Sequence, residues 1–302
     1  MRPRLLNLPQ LLTLLLFTLL SMPRSSVALE SRPGKLRDLI RVRCSLDGEE
    51  SWTVWRGELS YFIPRRKTRT LFQLVGASVS RCAKDKRGQW YQSSRELMFY
   101  LDPESGERVD TWRNPLTTEE VPVVHLANEL VQERLRQAPE VTISGPFATM
   151  QISSPHFYPN RLFRDQTLRS YSPEKMYIAD QYRSITTSTE ALASRAPSIP
   201  MSFSDQQIGP WLPWMNMGKR PGQLVYKVVG HKVSSYEDVP ALIRGEIDTR
   251  LQRYRFASTC YQRRKNVTSW SYFAENIDAY KNRETFPVAA PAVEGECTPN
   301  KP

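Results

Sequence analysis

The segment Gln223–Val233 constrains the fold most, because apolar side chains recur there at every second position. Such alternation predicts a β-strand with apolar residues on both faces. One face would carry Leu224, Tyr226 and Val228, and the other would carry Val225, Val229 and Val233. A strand that is apolar on both faces is typical of the interior of a sheet.

The same period of two recurs along the chain, between short turns rich in glycine, proline and aspartate. Strands are predicted at Arg41–Ser45, Ser51–Ile63, Thr70–Cys82, Gln89–Leu101, Glu107–Arg113, Val121–Leu126, Glu140–Ser153 and Met176–Thr187. Such close connections favour antiparallel neighbours. We therefore predict a mainly β protein, an antiparallel barrel or strongly curved sheet that is lipocalin-like in general architecture.

One long C-terminal helix is predicted from Asp238 to Arg255. Its apolar residues recur at helical spacing, Asp238 can cap the first turn, and proline is tolerated at position 240. Some helical character is also present at Ala127–Gln137, which ends before a proline. The long helix would cover one face of the sheet.

Residues 1–28 have the pattern of a cleaved export signal, with cleavage expected near Ala28. The remainder would form a single β-rich domain, residues 29–257, followed by a polar, proline-rich tail, residues 258–302, that we expect to pack loosely. The product would be secreted or lie in the lumen of the secretory pathway. It would have no stable membrane insertion after cleavage.

Four cysteines, Cys44, Cys82, Cys260 and Cys297, could form up to two disulfides in an oxidising compartment. The sequence does not fix the pairing, but a Cys260–Cys297 bond would tie down the tail. Their wide spacing is unlike a zinc site, so we expect no metal. Asn266-Val267-Thr268 is a glycosylation acceptor motif, which would make the chain a glycoprotein.

The chain is basic, with a formal net charge of +11, yet its lysines and arginines are scattered. Because no nucleic-acid-binding motif is present, we expect no nucleic-acid partner. The sequence also lacks a nucleophile elbow, a zinc-protease motif and a nucleotide-binding loop. No cofactor is therefore expected.

Several motifs together resemble one family. They are Trp52-x-x-Trp55-Arg56-Gly57, Ser78-x-Ser80-Arg81, Leu101-Asp102-Pro103-x-x-Gly106, Asp110-Thr111-Trp112-Arg113-Asn114-Pro115, His125-x-x-Asn128 and the run from Trp211 to Gly222. Over roughly residues 35–255 the chain resembles the domain of unknown function family numbered 1838. The resemblance implies a shared fold and a shared site around those motifs, but it supplies no catalytic residue.

A candidate site is predicted where the end of the Val121–Leu126 strand meets the Trp211–Tyr226 segment. There His125 would transfer a proton and Arg113 or Asn128 would steady negative charge, while Tyr100, Trp214 and Tyr226 would line an apolar pocket. Each residue also has a structural interpretation: His125 as a core histidine, Arg113 as a salt-bridge partner of Asp110, and the aromatic residues as core.

The expected function is a cofactor-independent enzyme of the isomerase, cyclase or lyase type. It would act by acid–base chemistry on a small, largely apolar metabolite, for example in specialised-metabolite biosynthesis. A non-catalytic small-molecule-binding protein and a structural or interaction domain remain alternatives. An inward cavity with His125 at its wall would favour the first two, and a filled interior would favour the third.

Overall fold

The computed structural model describes residues 29–292 and consists mainly of β-strands. The predicted signal, residues 1–28, lies outside this range. The strands are β1 (Glu30–Arg32), β2 (Ser51–Phe62), β3 (Arg69–Lys84), β4 (Trp90–Leu101), β5 (Thr111–Arg113), β6 (Glu120–Pro122), β7 (Leu126–Arg134), β8 (Val141–Ser144), β9 (Phe147–Pro159), β10 (Met176–Ser188), β11 (Ser202–Gly209) and β12 (Gln223–Val233).

Ten of these strands form one antiparallel sheet, in the order β1-β8-β9-β10-β11-β12-β2-β3-β4-β7, and β5 pairs separately with β6. The alternating segment Gln223–Val233 is β12, which lies inside the sheet between β11 and β2. The predicted β-rich, antiparallel class is confirmed. Within residues 29–292 the edge strands β1 and β7 do not pair with each other, so the sheet is not closed into a barrel.

The sheet nevertheless curls strongly. One hydrophobic cluster joins Leu135, which follows β7, to Met150 of β9 and Ile185 of β10, although β7 and β9 are far apart in the strand order. These side chains gather around Ile40 of the first helix. The curl gives the sheet a concave face, on which the two halves of the sheet approach each other.

The helices are few and short: α1 (Leu36–Arg43), α2 (Arg161–Arg164), α3 (Thr189–Ala193), α4 (Ala241–Thr249), α5 (Ser269–Glu275) and α6 (Ile277–Lys281). The predicted long helix Asp238–Arg255 was wrong, because only α4 is α-helical within it. Pro240 is extended, with ψ of 135°. At the other end Ala290 bonds to the backbone of Arg250 and Arg253, which replaces the bonds of a continuing helix.

The helical spacing did identify the correct buried face. Ile243, Ile247 and Leu251 pack on the convex face of β2, β3 and β4, against residues such as Val54 and Phe99. Elsewhere Arg41–Ser45 lies largely in α1 and most of Ala127–Gln137 is β7, because burial against distant parts of the chain decides the local conformation. The predicted strand Glu107–Arg113 is reduced to β5, and the predicted strand Val121–Leu126 is interrupted at residues 123–125, which lie between β6 and β7.

The start of the predicted tail packs tightly, so the expectation of loose packing was wrong for residues 258–292. Trp270, Phe273, Tyr280 and Phe286 are all buried in the largest hydrophobic cluster. Trp270 and Phe273 lie on α5, whose first turn is capped by the Thr268 side chain. This segment therefore belongs to the core that closes one end of the concave face.

A disulfide joins Cys44, at the end of α1, to Cys82 of β3. A disulfide is thereby confirmed. The predicted Cys260–Cys297 bond involves Cys297, which lies outside the described residues. Within residues 29–292, no helix has the length and hydrophobicity needed to cross a membrane.

Candidate functional site

The middle of the concave face is polar and reached by water. Directly paired residues of antiparallel strands point to the same side, so the register places Arg183, Asp205 and Tyr100 in one cross-strand row. Inward-facing Glu96, Asn128, Gln181, Arg183 and Tyr226 all remain partly exposed. Polar side chains with access to solvent inside a curved sheet are typical of a binding site.

Hydrophobic clusters close both ends of this polar layer. At one end Leu59, Phe72 and Trp214 are buried with α5, and at the other end Leu39 and Ile40 of α1 are buried. The partly exposed polar side chains therefore lie between two apolar ends of the face.

Trp55 forms the floor between the two clusters. Its indole lies over Gly76, where an added Cβ would overlap the ring. The glycine is thus required for the ring to reach its position. On the other side the ring contacts the edge of Phe203, with ring centroids 6.5 Å apart.

An arginine–carboxylate network lies on β10 and β11. Oδ2 of Asp205 accepts hydrogen bonds from Nε of Arg183 at 2.8 Å and from Nε2 of Gln181 at 2.7 Å. The Arg183 guanidinium also stacks over Phe203, 5.3 Å from the ring centroid. The second oxygen of Asp205, Oδ1, is buried and has no hydrogen-bond partner within residues 29–292.

A second polar pair lies opposite, on β4 and β7. Nδ2 of Asn128 donates to Oε2 of Glu96 at 3.3 Å, while Oδ1 of Asn128 is buried without a partner in the described part of the chain. Burial raises the pKa of Glu96 above its ordinary value, and the charge of Arg183 partly opposes this effect. The two pairs therefore act on each other electrostatically across the concave face.

We call Glu96, Asn128, Gln181, Arg183 and Asp205 the inner polar cluster. Its two unpartnered oxygens are acceptors, and a buried acceptor without a partner is unfavourable by about 1 to 3 kcal/mol. A molecule that offers hydrogen-bond donors would remove that cost. Among residues 29–292, no group of three or more histidine, cysteine or acidic side chains could hold a metal ion.

The predicted proton-transfer residue His125 is fully buried. Its Nδ1 accepts a hydrogen bond from the backbone N–H of Tyr100 at 3.1 Å, so the neutral ring carries its proton on Nε2. Nε2 faces Oδ1 of Asp110 at 3.5 Å without an aligned hydrogen bond. Burial lowers the pKa of His125 to about 4.

The other predicted residues divide into two groups. Tyr100 and Tyr226 both face inward, with their hydroxyl oxygens 3.5 Å apart, and Trp214 packs against Tyr100 with ring centroids 5.6 Å apart. Asn128 belongs to the inner polar cluster. Arg113 is exposed on β5, outside that cluster. Of the residues predicted to form one site, the three aromatic residues therefore pack together as a core, and this core lies next to the inner polar cluster.

Sequence reasoning missed Glu96, Gln181, Arg183 and Asp205. The available signal was a charged residue at an inward position of an alternating strand, as Glu96 is between Ser94 and Met98. In the sequence alone, a single charged residue on a strand is most simply interpreted as a side chain exposed to solvent. Only the register of several strands shows that these residues gather on one face.

The predicted glycosylation residue Asn266 is held against the edge strand β7. Its Oδ1 accepts from the backbone N–H of Gln132 at 2.9 Å, and its Nδ2 donates to the carbonyl of Gln132 at 3.0 Å. The side chain thus imitates a neighbouring strand and covers part of the sheet edge. A glycan on Nδ2 would disrupt this pairing.

Comparison with known proteins gives a family but no activity. No curated protein matches the chain. Among solved structures, the attachment invasion locus protein Ail of Yersinia pestis is similar with a TM-score of 0.16 and 6% identity, over 61% of this chain and 97% of that chain, which is too weak to carry any argument. The family model "Protein of unknown function (DUF1838)" matches residues 48–277, which include the whole inner polar cluster. The chain therefore belongs to the DUF1838 family.

Proposed function

We propose that this protein binds a small molecule at the inner polar cluster. The observation that carries the proposal is the pair of buried, unpartnered acceptors, Oδ1 of Asn128 and Oδ1 of Asp205, on a face that water reaches. Folded proteins seldom leave such atoms without partners unless a ligand or water satisfies them.

The surroundings indicate the chemistry of the ligand. Acceptors at Asn128 and Asp205 suit hydroxyl or amino groups, and the Glu96 carboxyl can add a further hydrogen bond. Trp55 and Val228, both partly exposed on the same face, offer apolar contact. We therefore infer a small ligand with several hydrogen-bond donors and one apolar surface, which is more polar than the sequence alone suggested.

His125 has no part in this proposal as a ligand contact, because it has no exposed surface. Its role is to support Tyr100, whose ring stacks on the imidazole with centroids 5.8 Å apart. Through that contact His125 positions the aromatic wall next to the inner polar cluster.

A catalytic function is a second candidate, favoured by one observation. Glu96 has a raised pKa and sits beside an amide, an arrangement suited to a general acid or base. In that version Glu96 would exchange a proton with the bound molecule. The residue proposed for acid–base chemistry is then Glu96 rather than His125.

The test is retention of metabolites by the purified protein. Wild type, Asn128→Leu and Glu96→Gln would be incubated with a small-molecule extract of the source cells, and retained compounds would be identified by mass spectrometry after ultrafiltration. Asp180→Asn, exposed on the opposite face of the sheet, is the matched control. We expect wild type and Asp180→Asn to retain the same compound, and Asn128→Leu to lose it.

Retention of no compound by wild type, or equal retention by all variants, would contradict the binding proposal. Conversion of the retained compound by wild type but not by Glu96→Gln, with binding intact in both, would establish the catalytic version.

A further inference from the structure

The convex face of β9, β10, β11, β12 and β2 carries exposed side chains. The convex face of β3, β4 and the start of β2 is covered by α4, whereas Phe157 is 70% exposed, Val229 64% and Tyr182 53% on the neighbouring strands. Phe62, Phe147 and Ile178 are also exposed there. Several exposed apolar side chains on one sheet face indicate an interaction surface.

This face contains a depression of about 550 Å³, which we call the outer groove. It crosses five neighbouring strands, a width of about 19 Å at the usual strand spacing of about 4.8 Å. Its exposed walls are Arg56, Gln151, Tyr182, Gln206, Lys227 and Val229. Ser184 and Ser204 line the bottom of the groove, and their small side chains leave room above the backbone.

The lining combines one aromatic ring with amides, hydroxyls and two cations. Arg56 and Lys227 are both exposed, and the nearest carboxylate to Lys227 is Glu58, whose Oε1 lies 4.0 Å from Nζ. Asp205 contributes backbone to the floor, because its carboxylate turns to the concave face and pairs with Arg183. The side chains that line the outer groove therefore carry positive charge and no negative charge.

We propose that the outer groove binds an acidic polysaccharide chain. An elongated depression suits a chain better than a compact molecule, and Tyr182 can pack against the apolar face of a sugar ring. Gln151, Gln206 and the serine hydroxyls can bond to sugar hydroxyls. Arg56 and Lys227 can attract the carboxylates of uronic acids, which is the charge complementarity that selects an acidic chain. The proposal is independent of the inner polar cluster.

The experiment measures binding of the full protein to polygalacturonate oligomers by calorimetry, with neutral galactan oligomers of the same length as the reference. The variants are Tyr182→Ala and the double variant Arg56→Gln, Lys227→Gln. Controls are Gln223→Ala, exposed on the same face outside the groove, and Glu96→Gln in the inner polar cluster. Circular dichroism checks that each variant is folded.

We expect wild type and both controls to bind polygalacturonate equally, with affinity that falls as salt concentration rises. Tyr182→Ala should weaken binding about tenfold, as loss of an aromatic contact does at other interfaces. The double variant should bind the acidic and neutral oligomers alike.

Three results would overturn the proposal. They are no binding of polygalacturonate by wild type, equal binding of the neutral oligomer, and unchanged affinity in the groove variants. Analytical ultracentrifugation supplies a further check: a dimer that Tyr182→Ala or Val229→Ser dissociates would show that a second copy, not a polysaccharide, covers this face.

Discussion

The hydroxyl oxygens of Tyr100 and Tyr226 lie 3.5 Å apart, although β2 and β3 separate their strands in the sheet. In a flat sheet the two strands would be about 14 Å apart at the usual spacing. Both side chains turn toward the inside of the curve and meet there. Burial raises the pKa of both hydroxyls, so the pair stays protonated at physiological pH. This contact marks the boundary between the aromatic core and the inner polar cluster.

Glu96→Gln should stabilise the protein at neutral and alkaline pH. Because the pKa of Glu96 is raised in the folded state, the folded protein binds this proton more tightly than the unfolded chain does. Stability is therefore lost as pH rises above the unfolded pKa of 4.5, and the glutamine variant escapes that loss. Urea unfolding from pH 4 to 8 measures the effect.

The difference between the glutamine variant and wild type should grow with pH and vanish below the unfolded pKa. Glutamine keeps an oxygen that can accept the hydrogen bond from Asn128. A difference that does not change with pH would show that Glu96 is not destabilised by burial.

His125 should remain neutral until the pH falls to about 4, the value to which burial lowers its pKa. The unfolded chain takes up this proton near pH 6.5, so stability should fall as pH drops from 6.5 to 4. The difference between a pKa of 6.5 in the unfolded chain and about 4 in the folded protein corresponds to about 3 kcal/mol of lost stability at the acid end. Titration of the imidazole by NMR measures the pKa directly.

His125→Asn is the matched variant for this prediction. Its amide oxygen can replace Nδ1 as acceptor from Tyr100, but it does not titrate. The variant should lose stability at pH 7 through poorer packing, and should lose less than wild type on acidification. An imidazole that titrates near 6.5 in the folded protein would refute the burial argument.

The strands with strict alternation were the predictable part of the fold. Side chains alternate between the concave and the convex face of the sheet along four of the strands, β2, β3, β4 and β12. This alternation appears in the sequence as a period of two. β7 was missed because Glu129, Leu130 and Gln132 favour helices intrinsically. Pairing with β4 overrides that preference, with a shift of register at Arg95.

The candidate site was less predictable, for a geometric reason. Glu96, Arg183 and Asp205 lie on three separate strands, and none of them falls within a recognisable motif. Their proximity depends on the register of every intervening pair and on the curl of the sheet. By contrast, Tyr100 and Tyr226 do lie next to each other, because large aromatic residues at inward positions are usually buried together in the core.

Removing the Cys44–Cys82 disulfide should lower the free energy of unfolding by about 4 kcal/mol. The bond closes a loop with a sequence separation of 38, and the chain-entropy model relates this length to that value. It also fixes the end of α1 to β3, where both sulfurs are buried. The double variant Cys44→Ala, Cys82→Ala would be compared with wild type by urea unfolding. An unchanged unfolding midpoint would show that packing alone holds α1 in place.

Gly76→Ala should destabilise the protein and disturb Trp55, whereas Gly245→Ala should stabilise it. At Gly76 the new methyl group would overlap the Trp55 indole, which packs against two hydrophobic clusters and would have to shift away from them. Overpacking of this kind costs about 1 to 3 kcal/mol.

At Gly245, inside α4, a Cβ meets no atom within 4 Å, so alanine should raise the free energy of unfolding by about 0.5 to 1 kcal/mol through its higher helix propensity. Urea unfolding measures both changes, and tryptophan fluorescence should shift only for Gly76→Ala. Equal stability of that variant and wild type would mean that the ring does not rest on the glycine.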